Sequence, residues 1–129
     1  MGITEEYGSY DAMGLAELVR KKEVKPIELV DASIEGIERL NPALNAVITP
    51  LFDQARKAAS GDLPQGPFTG VPYLLKDIGA VLGGVRMTMG TAFLQDFIPD
   101  LFFNRIFAGA QLVPLGLDPE ILFKRSFHE

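Results

Sequence analysis

Apolar residues recur at helical spacing in the first 60 residues of the chain. Leu15, Leu18 and Val19 fall on one face of a short segment, which predicts a helix that begins at or just before Asp11. Asp11 is a favourable N-cap residue, and the basic residues that follow the helix suit its negative C-terminal end. We interpret this apolar face as structural.

A second helix is predicted to begin at Pro26, because proline is favourable in the first helical turn. Lys25 then occupies the capping position, where a lysine is unfavourable. We expect this helix to stop at Asn41-Pro42, since proline disfavours a helical conformation in the residue before it. Its apolar stripe consists of Ile27, Val30, Ile34 and Ile37.

The segments that follow predict helices interleaved with strands. Residues 45–49 are predicted as a short strand, Pro50 as the start of a third helix and residues 60–67 as a loop. Farther along, residues 102–110 indicate a helix and residues 111–115 a strand. This order is typical of an α/β layer architecture.

The most informative run is residues 71–75, five apolar residues that follow a turn-forming stretch at residues 66–70. A run without polar alternation fits a strand that is covered on both faces. It ends at the charged pair Lys76-Asp77. The residues leave two interpretations open: an ordinary strand end whose ammonium reaches water, or a lysine delivered to a polar pocket.

Two segments around this lysine resemble the amidase signature family. Residues 70–77 (Gly-Val-Pro-Tyr-Leu-Leu-Lys-Asp) are similar to the family segment that carries the catalytic lysine, which corresponds to Lys76. Residues 87–91 resemble its Thr-x-Gly-Ser loop, with Thr91 where serine is usual. Similarity to the family's N-terminal helices extends the resemblance over roughly residues 10–115, closest to the branch of cyclic-dimer amide hydrolases and aryl acylamidases.

The resemblance implies an α/β fold in which the N-terminal helices and part of the family's mixed sheet are present but incomplete. Residues 1–129 would be a single domain, the N-terminal fragment of an amidase, with residues 116–129 not alignable. Catalysis in the family uses a nucleophilic serine, a second serine on a cis peptide bond and the lysine that matches Lys76. The residues assigned to substrate binding by the same resemblance are Met89, Gly90 and Thr91.

The two catalytic serines of the family have no counterpart in this sequence. None of its serines lies in a glycine- and serine-rich loop, and they are Ser9, Ser33, Ser60 and Ser126. We therefore expect both catalytic serines downstream of Glu129, in the parent of a truncated or frame-shifted amidase, and no activity in this fragment alone. The alternative is a non-catalytic binding or assembly module that reuses the N-terminal part of the fold.

Composition narrows the partners of the chain. The 12 basic and 17 acidic residues give a net charge of -5, which disfavours nucleic-acid binding through phosphates. It also favours a stand-alone hydrolase over the amidase component of a transfer-RNA amidotransferase. The partner implied by the resemblance is a small-molecule amide, and a homo-oligomer is compatible with the seven phenylalanines after residue 92.

Compartment and cofactors follow from what the sequence lacks. The acidic N-terminus has no apolar signal segment, and charges interrupt the apolar residues 93–117, so we expect a cytoplasmic protein with no membrane span. There is no cysteine, which excludes disulfides. We expect no cofactor and no metal site, and we interpret the single histidine, His128, as a solvated tail residue.

Overall fold

The computed structural model describes residues 3–78 and 82–99, and these fall into two compact units. The described part of the first unit is residues 3–73, and that of the second is residues 74–78 and 82–99. The predicted helix and strand at residues 102–115 lie outside the described residues.

The first unit is helical. Its helices are α1 (Ile3–Glu6), which a 3-10 helix (Tyr7–Ser9) follows, α2 (Ala12–Arg20), α3 (Pro26–Leu44) and α4 (Phe52–Ala59). The long helix α3 contacts both α1 and α4. The prediction for α2 is confirmed, because the carboxylate of Asp11 accepts a hydrogen bond from the Gly14 N–H at 2.7 Å and caps the helix.

The core of this unit comes from α2 and α3. Its buried apolar residues are Leu15, Ala16, Leu29, Val30, Ala32 and Ile34, of which Leu29 is fully buried. The predicted stripe on α3 is therefore confirmed at Val30 and Ile34, but the buried surface is wider than one stripe. The reason is that α3 has neighbours on more than one side.

Helix α3 starts as predicted and ends later than predicted. The Glu28 carboxylate accepts the backbone N–H of Lys25 at 2.7 Å, which offsets the unfavourable capping residue. The expected stop at Asn41-Pro42 is wrong, because Pro42 lies inside the last turn of α3, where its missing N–H removes few helical hydrogen bonds. The helix closes at Asn45, which is left-handed with φ 48° and donates its N–H to the Asn41 carbonyl at 2.7 Å.

The Asn41 side chain extends this ending to the next segment. Its amide donates to the Val47 carbonyl at 2.9 Å and accepts from the Val47 N–H at 2.8 Å, as a strand partner would. These bonds occupy the residues predicted as a strand at 45–49, which have no regular secondary structure. Helix α4 then begins at Phe52 rather than at Pro50, and Arg56 on α4 donates to Asp31 on α3 at 2.8 Å.

The chain between α4 and the second unit is the predicted loop and turn. The Thr69 N–H donates to the Gly66 carbonyl at 3.3 Å, and the Val71 N–H donates to the Phe68 carbonyl at 3.1 Å. Gly70 has φ 82°, and a Cβ added there would lie 2.9 Å from Pro26 Cγ. Glycine is therefore required both by the backbone and by the contact with the start of α3.

Residues 71–76 have no regular secondary structure, and no strand occurs among residues 3–78 and 82–99. Leu74 and Leu75 are 65% and 42% exposed, so the described residues do not cover the predicted strand. The mixed sheet of the α/β fold stays a prediction.

The second unit is built from turns and one 3-10 helix, Ala92–Leu94. Two backbone hydrogen bonds join its segments: Gly84 N–H donates to the Pro99 carbonyl at 2.9 Å, and Met87 N–H to the Phe97 carbonyl at 3.1 Å. Met87, Thr88 and Pro99 are buried. A further hydrogen bond, from the Thr88 N–H to Asp77, places residues 87–91 next to the segment that carries this acid.

Candidate functional site

Lys76 lies in the second unit with its side chain exposed. The ion pairs among the described residues join Arg20, Lys21 and Arg56 to acidic side chains, and none of them includes Lys76. The ammonium of Lys76 is thus not committed to a described carboxylate. The neighbouring acid, Asp77, has a different role.

Both carboxylate oxygens of Asp77 accept hydrogen bonds from the loop at residues 87–91. Oδ1 accepts the Thr88 N–H at 2.9 Å, and Oδ2 accepts the Thr88 hydroxyl at 2.5 Å. The Gly90 N–H also points at Oδ2, at 3.3 Å. We call Asp77, Thr88 and Gly90 with these bonds the Asp77 clamp.

The loop held by the Asp77 clamp is a tight turn. The Thr91 N–H donates to the Thr88 carbonyl at 2.9 Å, and the central residues Met89 and Gly90 have φ of 51° and 71°. Positive φ at both central positions is typical of a type I′ turn. Glycine adopts this conformation readily, but at Met89 it costs about 1–2 kcal/mol. The Met89 side chain is 46% exposed at the tip of the turn.

Hydrogen bonding sets the ionisation of Asp77. The hydroxyl of Thr88 lowers the pKa of Asp77 below its ordinary value of 3.8, and the N–H groups of Thr88 and Gly90 act in the same direction. The charge of Arg86 also lowers the pKa, while desolvation opposes the shift. Asp77 is therefore an anion at neutral pH, bound to the loop by charge-assisted hydrogen bonds.

The structure joins the two segments that the sequence singled out. Met89, Gly90 and Thr91 lie in the turn that the Asp77 clamp holds, and Lys76 is the residue next to the clamp's carboxylate. Sequence reasoning missed Asp77 and Thr88 as the link between these segments. The available signal was a glycine-containing turn whose N–H groups need an acceptor and a carboxylate directly after the apolar run.

Other kinds of site find no support in the part of the chain that the structure describes. No group of three or more acidic or histidine side chains there is placed to hold a metal ion. None of the described helices has the length and apolar character needed to cross a membrane. His128 lies outside the described residues.

The sequence profile of the family described as Amidase matches residues 28–101, which is more than half of the chain. The chain belongs to the Amidase family. The predicted resemblance is thus confirmed, and the match includes both Lys76 and the loop at residues 87–91.

Relatives of this Amidase family chain carry several different names. A 6-aminohexanoate-cyclic-dimer hydrolase of Pseudomonas sp. (strain NK87) is 50% identical over 74 residues, which are 57% of this chain and 15% of the relative. A lipoamidase of Enterococcus faecalis is 44% identical over 92 residues, 70% of this chain and 13% of the relative.

A third relative belongs to the glutamyl-tRNA(Gln) amidotransferase of Geotalea daltonii. It is 37% identical over 93 residues, which are 66% of this chain and 19% of the relative. The Amidase family chain therefore spans less than a fifth of the length of each of these three relatives. No solved structure matches it.

Proposed function

We propose that this chain is the lysine-bearing, N-terminal part of an amidase that hydrolyses carbon–nitrogen amide bonds, with Lys76 as the general base. The observation that carries the proposal is the Asp77 clamp, which ties the residue next to Lys76 to the loop assigned to substrate binding. Membership of the Amidase family supports the same reaction.

In the proposed mechanism the neutral amine of Lys76 accepts a proton from a bridging serine. That serine deprotonates the nucleophilic serine as its oxygen attacks the amide carbonyl, and backbone N–H groups stabilise the resulting oxyanion. Both serines are proposed to belong to a longer polypeptide, of which this sequence is a part. The small share of each relative's length that the chain spans supports this arrangement.

A lysine that acts as a base must lose its proton near working pH, and removal from water is one way to favour the neutral amine. The described residues leave Lys76 exposed. We therefore assign its cover to the rest of the longer polypeptide. The isolated 129 residues are expected to show no amide hydrolysis, since they lack both the serines and this cover.

The proposed substrate is a small-molecule amide. The first compound to test is 6-aminohexanoate cyclic dimer, which the name of one relative specifies, and lipoamide and an acyl anilide extend the range. The location proposed for the enzyme is the cytoplasm, as the sequence predicts.

The test begins with the coding frame beyond Glu129 and expression of the longest product that it encodes. Lys76→Ala should lower its kcat on the amide by at least about 10²-fold, because proton transfer by a positioned base contributes about that much. Lys57→Ala, which removes an exposed lysine on α4, is the matched control and should leave kcat unchanged. Undiminished turnover in Lys76→Ala refutes the assignment.

A second candidate function is that of a non-catalytic assembly module that associates with another copy of itself. The observation that favours it is the exposed apolar surface of the second unit, where Leu74, Phe93 and Ile98 are 65%, 92% and 56% exposed. Light scattering of the purified 129-residue chain distinguishes the two functions. A soluble, cooperatively unfolding oligomer that Phe93→Ala weakens supports the module, and a monomer contradicts it.

A further inference from the structure

We propose that Asp77 is a positioning residue, whose carboxylate fixes the turn at residues 88–91 in register with Lys76. This inference rests on the proposed function, since it assigns the partner that Lys76 needs to meet the substrate-binding turn. It concerns a residue that touches neither the substrate nor the reacting atoms, and it acts through its peptide neighbour.

Asp77 is bound to the loop by bonds of defined number and direction. Both of its oxygens accept from donors of the loop, and Thr88 alone supplies two of them, at 2.9 and 2.5 Å. Because Thr88 is 11 residues away in sequence, these bonds close the intervening chain into a ring. Two oxygens bound to one residue fix direction as well as distance, and so they limit rotation of the loop about Asp77.

The clamp is also complete in its hydrogen bonding. The Thr88 hydroxyl donates its proton to Asp77 and accepts the Gly90 N–H at 3.2 Å, so its donor and one acceptor position are both used. Thr88 is only 9% exposed, and the described residues contain no buried side-chain polar atom without a partner. Water therefore cannot readily replace the threonine in this network.

The turn itself needs an external anchor. Met89 is held at φ 51°, a left-handed conformation that residues with a side chain adopt only when their surroundings impose it. The residues before and after Met89 are the two whose N–H groups bind Asp77. The clamp thus holds both sides of the strained residue, and its carboxylate stands one residue from Lys76.

The consequence is a division of labour between two adjacent residues. Lys76 is left with no ion pair to Asp77, so its amine stays available for proton transfer, while Asp77 supplies the geometry. A misplacement of about 1 Å can reduce catalysis by about 10²-fold. Loss of the clamp should therefore appear in kcat and leave the fold of the helical unit intact.

The experiment compares Thr88→Val with Thr88→Ser in the longest product of the coding frame, with kcat and KM measured on 6-aminohexanoate cyclic dimer. Valine matches threonine in shape and lacks the hydroxyl, whereas serine keeps it. We expect Thr88→Val and Asp77→Asn to lower kcat by up to about 10²-fold with little change in KM. Thr88→Ser should restore most of the lost kcat, and Asp96→Asn controls for the loss of an exposed charge in the same unit.

Amide NMR spectra of the same proteins give a second readout that needs no activity. In Asp77→Asn the Gly90 amide should exchange with solvent faster than in the wild type, whereas amides of α3 should not change. Unchanged kcat in both Asp77→Asn and Thr88→Val overturns the positioning role, as does an equal loss in Thr88→Ser. A wild-type product that hydrolyses no amide while its Gly90 amide stays protected refutes the proposed function instead, and with it any catalytic use of the clamp.

Discussion

Helices α2 and α3 bury apolar side chains from Leu15 to Ile34, whereas the second unit buries Met87 and Pro99 beside a hydrogen-bonded threonine, Thr88. The first region is held by the contact of apolar helix faces, and its polar groups serve mainly as caps. The second region is held by a single carboxylate that collects the N–H groups of a turn. The stable framework and the candidate site of this chain therefore depend on different forces.

The strongest test of this comparison is Leu29→Ala. Leu29 is fully buried, so its truncation should lower the free energy of unfolding by about 2–5 kcal/mol. Urea denaturation followed by far-UV circular dichroism measures the loss. Leu40→Ala on the same helix is the control, since Leu40 is 52% exposed and its truncation should change stability by about 0.5 kcal/mol or less. Equal losses in the two variants contradict apolar burial as the force that holds this unit.

A pair of glycine substitutions sharpens the comparison. Gly70 and Gly84 both have positive φ, of 82° and 74°, so alanine at either position should cost about 1–2 kcal/mol. At Gly70 the new Cβ would also meet Pro26 Cγ at 2.9 Å, which adds about 1–3 kcal/mol, whereas at Gly84 nothing lies within 4 Å. Urea unfolding of Gly70→Ala and Gly84→Ala should show this difference, and identical losses would mean that the close approach at Gly70 is relieved without cost.

Acid should affect the second unit through Asp77. Its pKa is lower in the folded chain than the ordinary 3.8, so ionised Asp77 stabilises the fold above that pH. This contribution is lost as the pH falls below 3.8 and through the folded pKa. The Gly90 amide shift, followed as the pH is lowered, should therefore give a midpoint below 3.8. Thr88→Val removes the largest cause of the shift and should raise the midpoint, while a wild-type midpoint at or above 3.8 contradicts the clamp.

The smallest effect is expected for the ion pair between Arg56 and Asp31. Both side chains are about half exposed, so the attraction between them is screened by water and salt. The hydrogen bond to Asp31 raises the pKa of Arg56, but the guanidinium is charged throughout the physiological range in either case. Arg56→Ala should shift the urea midpoint less than Leu29→Ala or Gly70→Ala. A comparable shift would make α4 more dependent on polar contacts than the comparison allows.

Much of the helical unit could be predicted from local patterns. Asp11 before α2 and Pro26 at the start of α3 are signals that act within one turn, and the structure confirms both. The end of α3 could not be predicted in this way, because the favourable closure at Asn45 lies beyond Pro42 and outweighs the local preference of proline. The predicted sheet stays open, since strands need partners that no described residue supplies.

The candidate site was located by sequence but not explained by it. The resemblance singled out Lys76 and residues 89–91, and family membership is confirmed. The bonds between Asp77 and Thr88 join residues far apart in sequence, and hydrophobic periodicity carries no information about such a contact. Only the folded chain shows that the acid after the lysine binds the turn.

The end of α3 also has a consequence for how the protein ages. Spontaneous deamidation of asparagine begins when the backbone nitrogen of the next residue attacks the side-chain amide and forms a succinimide ring. Asn41 is followed by Pro42, whose nitrogen carries no hydrogen and cannot form that neutral ring. The amide that pairs with Val47 in both directions is thus shielded from the commonest route of chemical decay, so this junction should outlast other asparagine contacts during long storage.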